Sequence, residues 1–193
     1  VGDVDFGEEA EWDFFELADR WFSHWLKGEQ GADIEWPPVQ VFVMGANRWR
    51  EADDWPLPGT VYTDLYFHSA GHADMCTGVG SLSLEAPGEE PQDSYVYDPR
   101  DPVMSLYTPG GQHAPMDQRP LDGRRDVMVY QTEPLETPLE VVGPIEVRLF
   151  ASSSATDTDF TAKLIDVHPD GFAQELCHGI VRARYRESFE SPT

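Results

Sequence analysis

The chain has 193 residues, of which 36 are acidic and 13 are basic, and its formal net charge at pH 7 is −23. This length suits one domain with its own core, or one domain plus an additional element. The apolar and aromatic content is that of a globular protein, which excludes a disordered chain. Because a surface this acidic repels phosphate backbones, we expect no binding to nucleic acid.

The sequence also bears on cellular location. No apolar run reaches the ~18 residues that a membrane span needs, so we expect no membrane partner. Residues 1–5 have neither the basic region nor the apolar stretch of a signal peptide, so a cytoplasmic location is the expectation. The absence of an initiator methionine predicts that the chain is a piece of a longer protein.

The acidic residues are dispersed along the chain, and Lys27 and Lys163 are the only lysines. Two interpretations are open. The chain is either an ordinary acidic protein or a salt-adapted protein from a halophile, in which dissolved ions screen the self-repulsion. The scarcity of lysine favours the halophilic interpretation.

Residues 8–27 are predicted to form one amphipathic α-helix. Acidic residues lead the segment, Lys27 closes its last turn and Gly28 is placed to end it. A wide aromatic stripe predicts that the helix is covered on most of its surface. The apolar positions follow helical spacing and are Phe14, Leu17, Ala18, Trp21, Phe22 and Trp25.

After Gly28 the pattern changes to short strands separated by Gly, Pro, Asp and Asn, with a long Pro- and Gly-rich connection at residues 98–125. Many short strands with turn residues between them are typical of an antiparallel sandwich. The sequence therefore predicts a mainly β fold preceded by one helix. The predicted strands are residues 39–44, 62–68, 81–84, 94–97, 127–132, 139–142, 145–152, 160–168 and 174–185.

Cys76 and Cys177 are the only cysteines, and we predict two free, buried thiols rather than a disulfide. His68, His72 and Cys76 suggest a metal site, but a His-x3-His spacing aligns its ligands only on a helix, and this segment leaves a strand into a turn. We therefore expect no metal here, and no cofactor elsewhere.

Asp157 and Asp159 follow a run of serines at residues 152–154, a combination that can bind calcium. Hydroxyls and carboxylates in such a segment more often cap turns through bonds to the backbone, and we favour that interpretation.

No catalytic residue is predicted. A nucleophile elbow needs Gly-x-Ser-x-Gly, and the nearest string, Gly78-Val79-Gly80-Ser81, leads into a strand instead. Without a nucleophile, the Asp and His residues have nothing to activate.

Several ordered segments together resemble one family. They include Trp25-Leu26-Lys27-Gly28, Asp54-Trp55-Pro56-Leu57-Pro58, Asp117-Gln118-Arg119-Pro120 and Asp157-Thr158-Asp159-Phe160. No single piece is specific, but the set in this order is similar to the C-terminal part of the X-prolyl dipeptidyl-peptidase, cocaine-esterase and glutaryl-acylase family of serine hydrolases. The other matching segments are residues 41–50, 95–99, 101–103, 152–155, 161–164, 166–167 and 179–186.

The resemblance implies a jelly-roll-like antiparallel β-sandwich preceded by one amphipathic α-helix. Residues 1–28 would be the last helix of an upstream α/β-hydrolase domain, and residues 29–193 a C-terminal sandwich that lacks its last strands. The catalytic Ser, Asp and His of the family would lie upstream, so this chain would be inactive alone. The partner implied is that upstream domain of the same protein.

The resemblance also implies a contact with substrate. In members of the family this part of the sandwich approaches the acyl pocket, so Leu149 and Phe150 would form an apolar wall of that pocket. The alternative for both residues is ordinary strand core.

Two other functions remain open from the sequence. One is a stand-alone carbohydrate- or protein-binding β-sandwich that uses tryptophans as stacking platforms, and the other is a purely structural domain. The aromatic helix favours the hydrolase interpretation, since an autonomous sandwich has no use for it. We also expect the chain by itself to be a homo-oligomer or to fold its helix back, because the helix exposes more apolar surface than a monomer tolerates.

Overall fold

The structure is a computed structural model that describes residues 2–27, 36–76, 78–106 and 115–193. The chain divides into two compact units. The helix unit comprises Asp5–Tyr62 and Pro138–Ile145, and the sheet unit comprises Val1–Val4, Thr63–Thr137 and Glu146–Thr193. Each unit is described by itself.

In the helix unit, the predicted helix at residues 8–27 is not continuous. A 3₁₀ turn at Glu8–Ala10 is followed by α1 at Phe14–Phe22, which runs into a π-helical turn at Ser23–Lys27. Asp13 sets the start of α1, because its carboxylate accepts hydrogen bonds from the amides of Phe15 and Glu16 at 2.9 and 3.0 Å. The 3₁₀ turn ends at Ala10 and α1 begins after its N-cap at Asp13, a break that the spacing of apolar residues did not indicate.

The helix unit also holds an antiparallel hairpin of β1, Val39–Val43, and β2, Arg48–Ala52. The turn between them requires positive φ at Gly45 and at Asn47, which are residue types that tolerate this conformation. Strand β1 was predicted, whereas β2 was not. Its charged sequence follows no apolar alternation, and it becomes a strand because the turn places it opposite β1.

The sheet unit contains a three-stranded sheet in the order β3-β4-β5. Strands β3 and β4 are antiparallel, as expected, but β4 and β5 are parallel, which the prediction of an antiparallel sandwich did not include. All three strands lie within predicted ones or overlap them; β3 and β5 are shorter than predicted, and β4 begins and ends one residue earlier. Their bounds are Tyr66–His68 for β3, Gly80–Ser83 for β4 and Tyr130–Gln131 for β5.

A long antiparallel hairpin completes the sheet unit. It pairs β6, Asp159–Val167, with β7, Ala173–Arg182, and its register shifts between Leu164 and Ile165. The tight turn uses Gly171 at φ 85°, close to where the sequence placed it. After β7 the chain leaves the predicted strand in a 3₁₀ turn, Ala183–Tyr185.

The predicted strands at residues 94–97, 139–142 and 145–152 do not form ladders. These segments have strand-like composition, but no other described strand pairs with them, and their apolar side chains are largely exposed. The predicted fold class holds nevertheless: the described chain is mainly β and has one α-helix before its strands. Among the described residues, none of the helices has both the length and the apolar character needed to cross a membrane.

Candidate functional site

The two residues predicted to line a pocket, Leu149 and Phe150, lie in a segment of the sheet unit outside its helices and strands. Leu149 is 51% exposed and the Phe150 ring is fully exposed. The alternative of ordinary strand core does not describe them in this structure, because neither side chain is buried. Their accessibility leaves them free to contact a molecule outside this chain.

The aromatic face of the helix unit is also uncovered. Phe15 is 82% exposed and Trp25 is 63% exposed, although the sequence predicts a helix covered on most of its surface. Soluble monomers rarely expose contiguous apolar patches larger than a few hundred Å². The large apolar side chains exposed within residues 12–26 are Trp12, Phe14, Phe15, Trp21, Phe22, Trp25 and Leu26.

A groove of about 220 Å³ in the helix unit bears on carbohydrate binding, because two tryptophans line it. The Arg20 guanidinium lies 4.7 Å from the centre of the Trp36 ring, and the rings of Trp12 and Trp49 are 5.5 Å apart. Both lining tryptophans therefore already have partners within the protein. These contacts stabilise the helix unit, and Trp12 remains 57% exposed.

A charged, aromatic cluster at residues 48–55 lies in the helix unit. Its Trp49 packs on Phe42 with ring centres 5.4 Å apart, and the Trp49 indole N–H donates to the Glu9 carbonyl oxygen at 2.8 Å. Arg50 forms its ion pair with Glu140 rather than with a neighbouring aspartate. The cluster holds the helix unit together.

The carboxylates considered as calcium ligands are engaged by arginines. Arg184 Nε donates to Asp157 Oδ2 at 2.6 Å, and Arg182 donates to Asp159 through Nε at 2.8 Å and a terminal nitrogen at 2.9 Å. These pairs lower the pKa of Asp159, where the Arg182 bond is the main cause. They fasten the end of β7 to the start of β6. The favoured interpretation of bonds to the backbone also applies, because Asp157 Oδ1 accepts a bond from the Arg184 amide at 3.1 Å and Ser153 Oγ accepts one from the Ala155 amide at 3.1 Å. In the described part of the chain, no cluster of three or more His, Cys, Asp or Glu side chains is arranged to hold a metal ion.

The Asp117-Gln118-Arg119-Pro120 segment is a structural joint. The Asp117 carboxylate accepts bonds from Arg119 Nε at 2.7 Å and from the Ala173 amide at 3.3 Å. The Arg119 bond, opposed by partial burial, lowers the pKa of Asp117 to about 2. Gln118 is buried and accepts a bond from Lys163 Nζ at 2.8 Å, so this segment is tied to both strands of the β6–β7 hairpin.

A hydrogen-bonded chain that the sequence analysis missed has the order of a serine–histidine–acid triad. Ser83 Oγ lies 3.0 Å from His68 Nε2, and His68 Nδ1 lies 2.7 Å from Glu90 Oε1. This hydrogen-bonded series is not arranged for nucleophilic catalysis, because the Glu85 carbonyl oxygen also lies 2.8 Å from His68 Nε2. A carbonyl oxygen can only accept, so Nε2 carries a proton and cannot take one from Ser83.

Next to it lies a second network, centred on Asp93. Its carboxylate accepts bonds from Ser69 Oγ at 2.7 Å, from Tyr130 Oη at 2.7 Å and from the Ala73 amide at 2.9 Å. Burial raises the pKa of Asp93, but these three bonds outweigh burial and leave it below its usual value. Burial, reinforced by the bond to Asp93, raises the pKa of Tyr130. These groups are far apart in sequence, so no local spacing indicated them.

The two cysteines are free thiols, as predicted, but they are exposed rather than buried. The Cys76 thiol donates a hydrogen bond to the Gly123 carbonyl oxygen at 2.9 Å. Partial burial raises the pKa of Cys177, with the negative charge of Glu175 acting in the same direction. A thiol with a raised pKa is less ionised and therefore less reactive at neutral pH.

Comparison with known proteins supplies the relationship. The chain is 52% identical over 176 residues to the cocaine esterase of Rhodococcus sp. (strain MB1 Bresler), an alignment that covers 89% of this chain and 31% of that protein. It is 33% identical over 180 residues to a Mycobacterium bovis protein that carries the name of serine esterase, covering 90% of this chain and 27% of that one. The chain thus spans about a third or less of the relatives that it matches.

A solved structure confirms the fold class. The crystal structure of an aminopeptidase from a marine sediment archaeon, Thaumarchaeota archaeon, matches with a TM-score of 0.68 and 33% identity, covering 93% of this chain and 30% of that one. The predicted mainly β, jelly-roll-like sandwich preceded by a helix is therefore correct. The family model described as the X-Pro dipeptidyl-peptidase C-terminal non-catalytic domain matches residues 34–193. The chain belongs to this family of non-catalytic C-terminal domains of serine hydrolases.

Proposed function

We propose that this chain is the accessory portion of a serine hydrolase of the acyl-esterase or X-Pro dipeptidyl-peptidase type. In this proposal it packs on an upstream α/β-hydrolase domain of the same protein, and Leu149 and Phe150 line the acyl pocket. The observation that carries the proposal is the family membership of residues 34–193, together with a chain length of about a third of its relatives. Because the family model is that of a non-catalytic domain, the proposal assigns the chemistry to another domain of the same protein.

The exposed apolar surfaces support a partner of this kind. The aromatic side chains of residues 12–26, on α1 and the residues that flank it, and the pair Leu149 and Phe150 are solvent-exposed. Covering one large aromatic side chain removes about 150–250 Å² from water, so burying several stabilises a domain contact substantially. In this proposal, residues 1–28 are the last helix of the hydrolase domain, and residues 29–193 form the accessory sandwich.

The nature of the reaction follows from the partner rather than from this chain. The intact enzyme would use nucleophilic acyl transfer through an acyl-enzyme, with all three catalytic side chains upstream. The exposed side chains of Leu149 and Phe150 could contact the apolar acyl group of a substrate. Such a contact would discriminate between acyl groups by size.

A chimera tests the domain role. The matching region of the Rhodococcus cocaine esterase is replaced by this chain, and ester hydrolysis is measured alongside circular dichroism and gel filtration. We expect a folded chimera that retains hydrolysis, while the isolated chain does not turn over p-nitrophenyl acetate or Ala-Pro-p-nitroanilide above a heat-killed control. Turnover by the isolated chain, or a folded and inactive chimera, would contradict the proposed role.

Variants of the chimera test the pocket wall. Phe150→Ala removes apolar contact of about 1.5–3 kcal/mol, so kcat/KM for esters with a bulky acyl group falls roughly tenfold to a hundredfold. Acetyl esters, which do not reach the wall, change little. Phe189→Ala makes the same chemical change at another exposed phenylalanine and is the matched control. Equal effects of the two variants, or equal effects on large and small acyl groups, would exclude Phe150 from the pocket.

A further inference from the structure

We propose that protonated His68 is a pH-dependent latch, which holds the loop at residues 84–92 against the β3–β4 hairpin and releases it when the imidazolium loses its proton. His68 is the last residue of β3, and the loop follows β4 directly. The proposal concerns the sheet unit alone and does not depend on the proposed function.

The geometry requires both ring nitrogens of His68 to donate. Nδ1 lies 2.7 Å from Glu90 Oε1, and Nε2 lies 2.8 Å from the Glu85 carbonyl oxygen. Both partners are acceptors at neutral pH, so each ring nitrogen must carry a proton to form its bond. Either neutral tautomer would place a nitrogen lone pair against an oxygen lone pair and lose one of the two contacts. The imidazolium alone satisfies both ends of the loop.

The remaining bonds show what the latch holds. Glu90 Oε2 accepts from the Ser69 amide at 2.9 Å, so Glu90 connects the His68 ring to the backbone just after β3. Ser83 Oγ lies 3.0 Å from Nε2 and accepts a bond from the Glu85 amide at 3.1 Å. Loss of the His68 proton therefore removes the bond to the Glu85 carbonyl or the bond to Glu90, and it deprives the remaining bond of the imidazolium charge.

The surrounding charges favour the protonated ring. Two carboxylates face His68, those of Glu90 and Glu85, and both raise its pKa. The bond to Glu90 is the largest cause, partial burial opposes it, and the bond to the Glu85 carbonyl adds to it. The charge of Asp93 acts on Glu90 and raises its pKa, and the charge of His72 acts on Asp93 and lowers its pKa.

The sign of the pH dependence follows from these directions. Because the pKa of His68 is raised above its ordinary 6.5, its contribution is fully present below that value and is lost as pH rises through the folded-state pKa. The pKa of Glu90 is lowered from 4.5, chiefly by the His68 bond, so its contribution is lost only as pH falls through the lowered value. The latch is therefore closed at pH values between the lowered pKa of Glu90 and the raised pKa of His68.

The loop has a second attachment that does not titrate with His68. Asp93, at the far end of the segment, is bonded to Ser69, to the Ala73 amide and to Tyr130. Release of the latch therefore frees residues 84–92 as a loop still anchored at its end, and it does not unfold the sheet. This distinction gives the experiment a local readout.

The test is an NMR titration of the full chain, following the His68 ring and the protection of the Ser69 amide from hydrogen exchange. We expect a His68 midpoint above 6.5, and a Ser69 protection factor that falls across the same midpoint. Glu90→Gln should move the midpoint down toward 6.5. Glu89→Gln removes the same charge from the neighbouring exposed residue and should leave the midpoint close to that of the unmodified chain.

Three outcomes would overturn the proposal. They are a His68 midpoint at or below 6.5 in the unmodified chain, equal midpoints in Glu90→Gln and Glu89→Gln, and Ser69 protection that is constant through the His68 titration. The first and third are measured on the unmodified protein. Retention of the β6–β7 hairpin signals at each pH confirms that the change is local.

Discussion

Tyr130 donates a hydrogen bond of 2.7 Å from its hydroxyl to Asp93 Oδ2, which fastens β5 to the loop that follows β4. The bond links two residues separated by 37 positions, and Asp93 extends the link to Ser69 and to the Ala73 amide. A carboxylate with three donors fixes the positions of three chain segments at once. This network therefore links β5 to the segments that follow β3 and β4.

The first prediction concerns the phenol. Tyr130→Phe removes one donor from a partly buried carboxylate, and a hydrogen bond to a charged group contributes about 1.5–3 kcal/mol. We expect the free energy of unfolding in urea to fall by about that amount. Tyr97→Phe, at a tyrosine that is more than half exposed, is the matched control and should change stability by less than ~0.5 kcal/mol. Equal effects of the two variants would show that the bond from Tyr130 to Asp93 does not contribute measurably to stability.

The second prediction concerns the space beside Tyr130. A Cβ added at Gly80 would lie 2.5 Å from Tyr130 Cδ1 and 2.7 Å from the His68 carbonyl oxygen. The backbone oxygen cannot move aside cheaply, so Gly80→Ala should destabilise the protein by about 1–3 kcal/mol. Gly179→Ala places the same methyl group where no atom lies within 4 Å and should be neutral or slightly stabilising. Chemical denaturation of both variants measures the difference.

The two glycines also show what the sequence could indicate. The β6–β7 hairpin was predicted nearly to its ends, because alternation and a Pro-Asp-Gly turn are local signals. The requirement for glycine at position 80 comes from the His68 carbonyl oxygen on β3 and from Tyr130, which lies far along the chain and pairs in parallel with β4. Local patterns carry no information about such a contact. Strand β2 was missed for a related reason, since it takes its structure from its pairing with β1.

The candidate site also combines features that the sequence could predict with features that it could not. Family membership followed from many short segments in order, so the sequence sufficed for it. Leu149 and Phe150 were identified through the resemblance, and their role as pocket wall stays a prediction. The bonds made by the His68 ring and by the Asp93 carboxylate join residues that are 15 to 37 positions apart, and only the folded chain brings them together.

The third prediction concerns acid stability. Arg119 holds the pKa of Asp117 at about 2, below the ordinary 3.8. A lowered pKa means that the stabilising contribution is present above about 3.8 and is lost as pH falls from there through about 2. Arg119→Gln should raise the Asp117 midpoint toward 3.8 in an NMR titration and move acid unfolding to higher pH. Arg125→Gln removes an equal charge from an exposed arginine nearby. An Asp117 midpoint that is the same in both variants would contradict the assigned cause.

The fourth prediction concerns salt. A formal charge of −23 on 193 residues produces self-repulsion that ions screen, because the Debye length falls from ~10 Å at 0.1 M to ~3 Å at 1 M. We expect the melting temperature to rise with KCl between 0.1 and 2 M. The double variant Glu133→Lys and Glu136→Lys replaces two exposed acids and should show a shallower rise. A melting temperature that is flat or falls over this range would count against salt adaptation.

The fifth prediction concerns association of the chain by itself. Trp21 and Trp25 lie on α1 and its π-helical extension with ring centres 5.9 Å apart, and both are about half exposed or more. Each ring offers roughly 150–250 Å² of surface, so together with their aromatic neighbours they exceed the patch that a monomer normally tolerates. Unpaired strand edges add a second route to pairing between copies.

We therefore expect the isolated chain to be a concentration-dependent homo-oligomer. Replacing Trp21 and Trp25 by Ser should shift it toward monomer in sedimentation velocity, because the apolar contact between copies is lost. Glu16→Ser with Asp19→Ser alters the same helix at exposed acidic positions and should leave the oligomer intact or strengthen it, since it removes like charges. A parent chain that stays monomeric at high concentration while the amides of α1 exchange freely would show that this face does not associate. If the tryptophan variant and the acidic variant dissociate equally, the helix is not the contact, and the strand edges become the surface to examine.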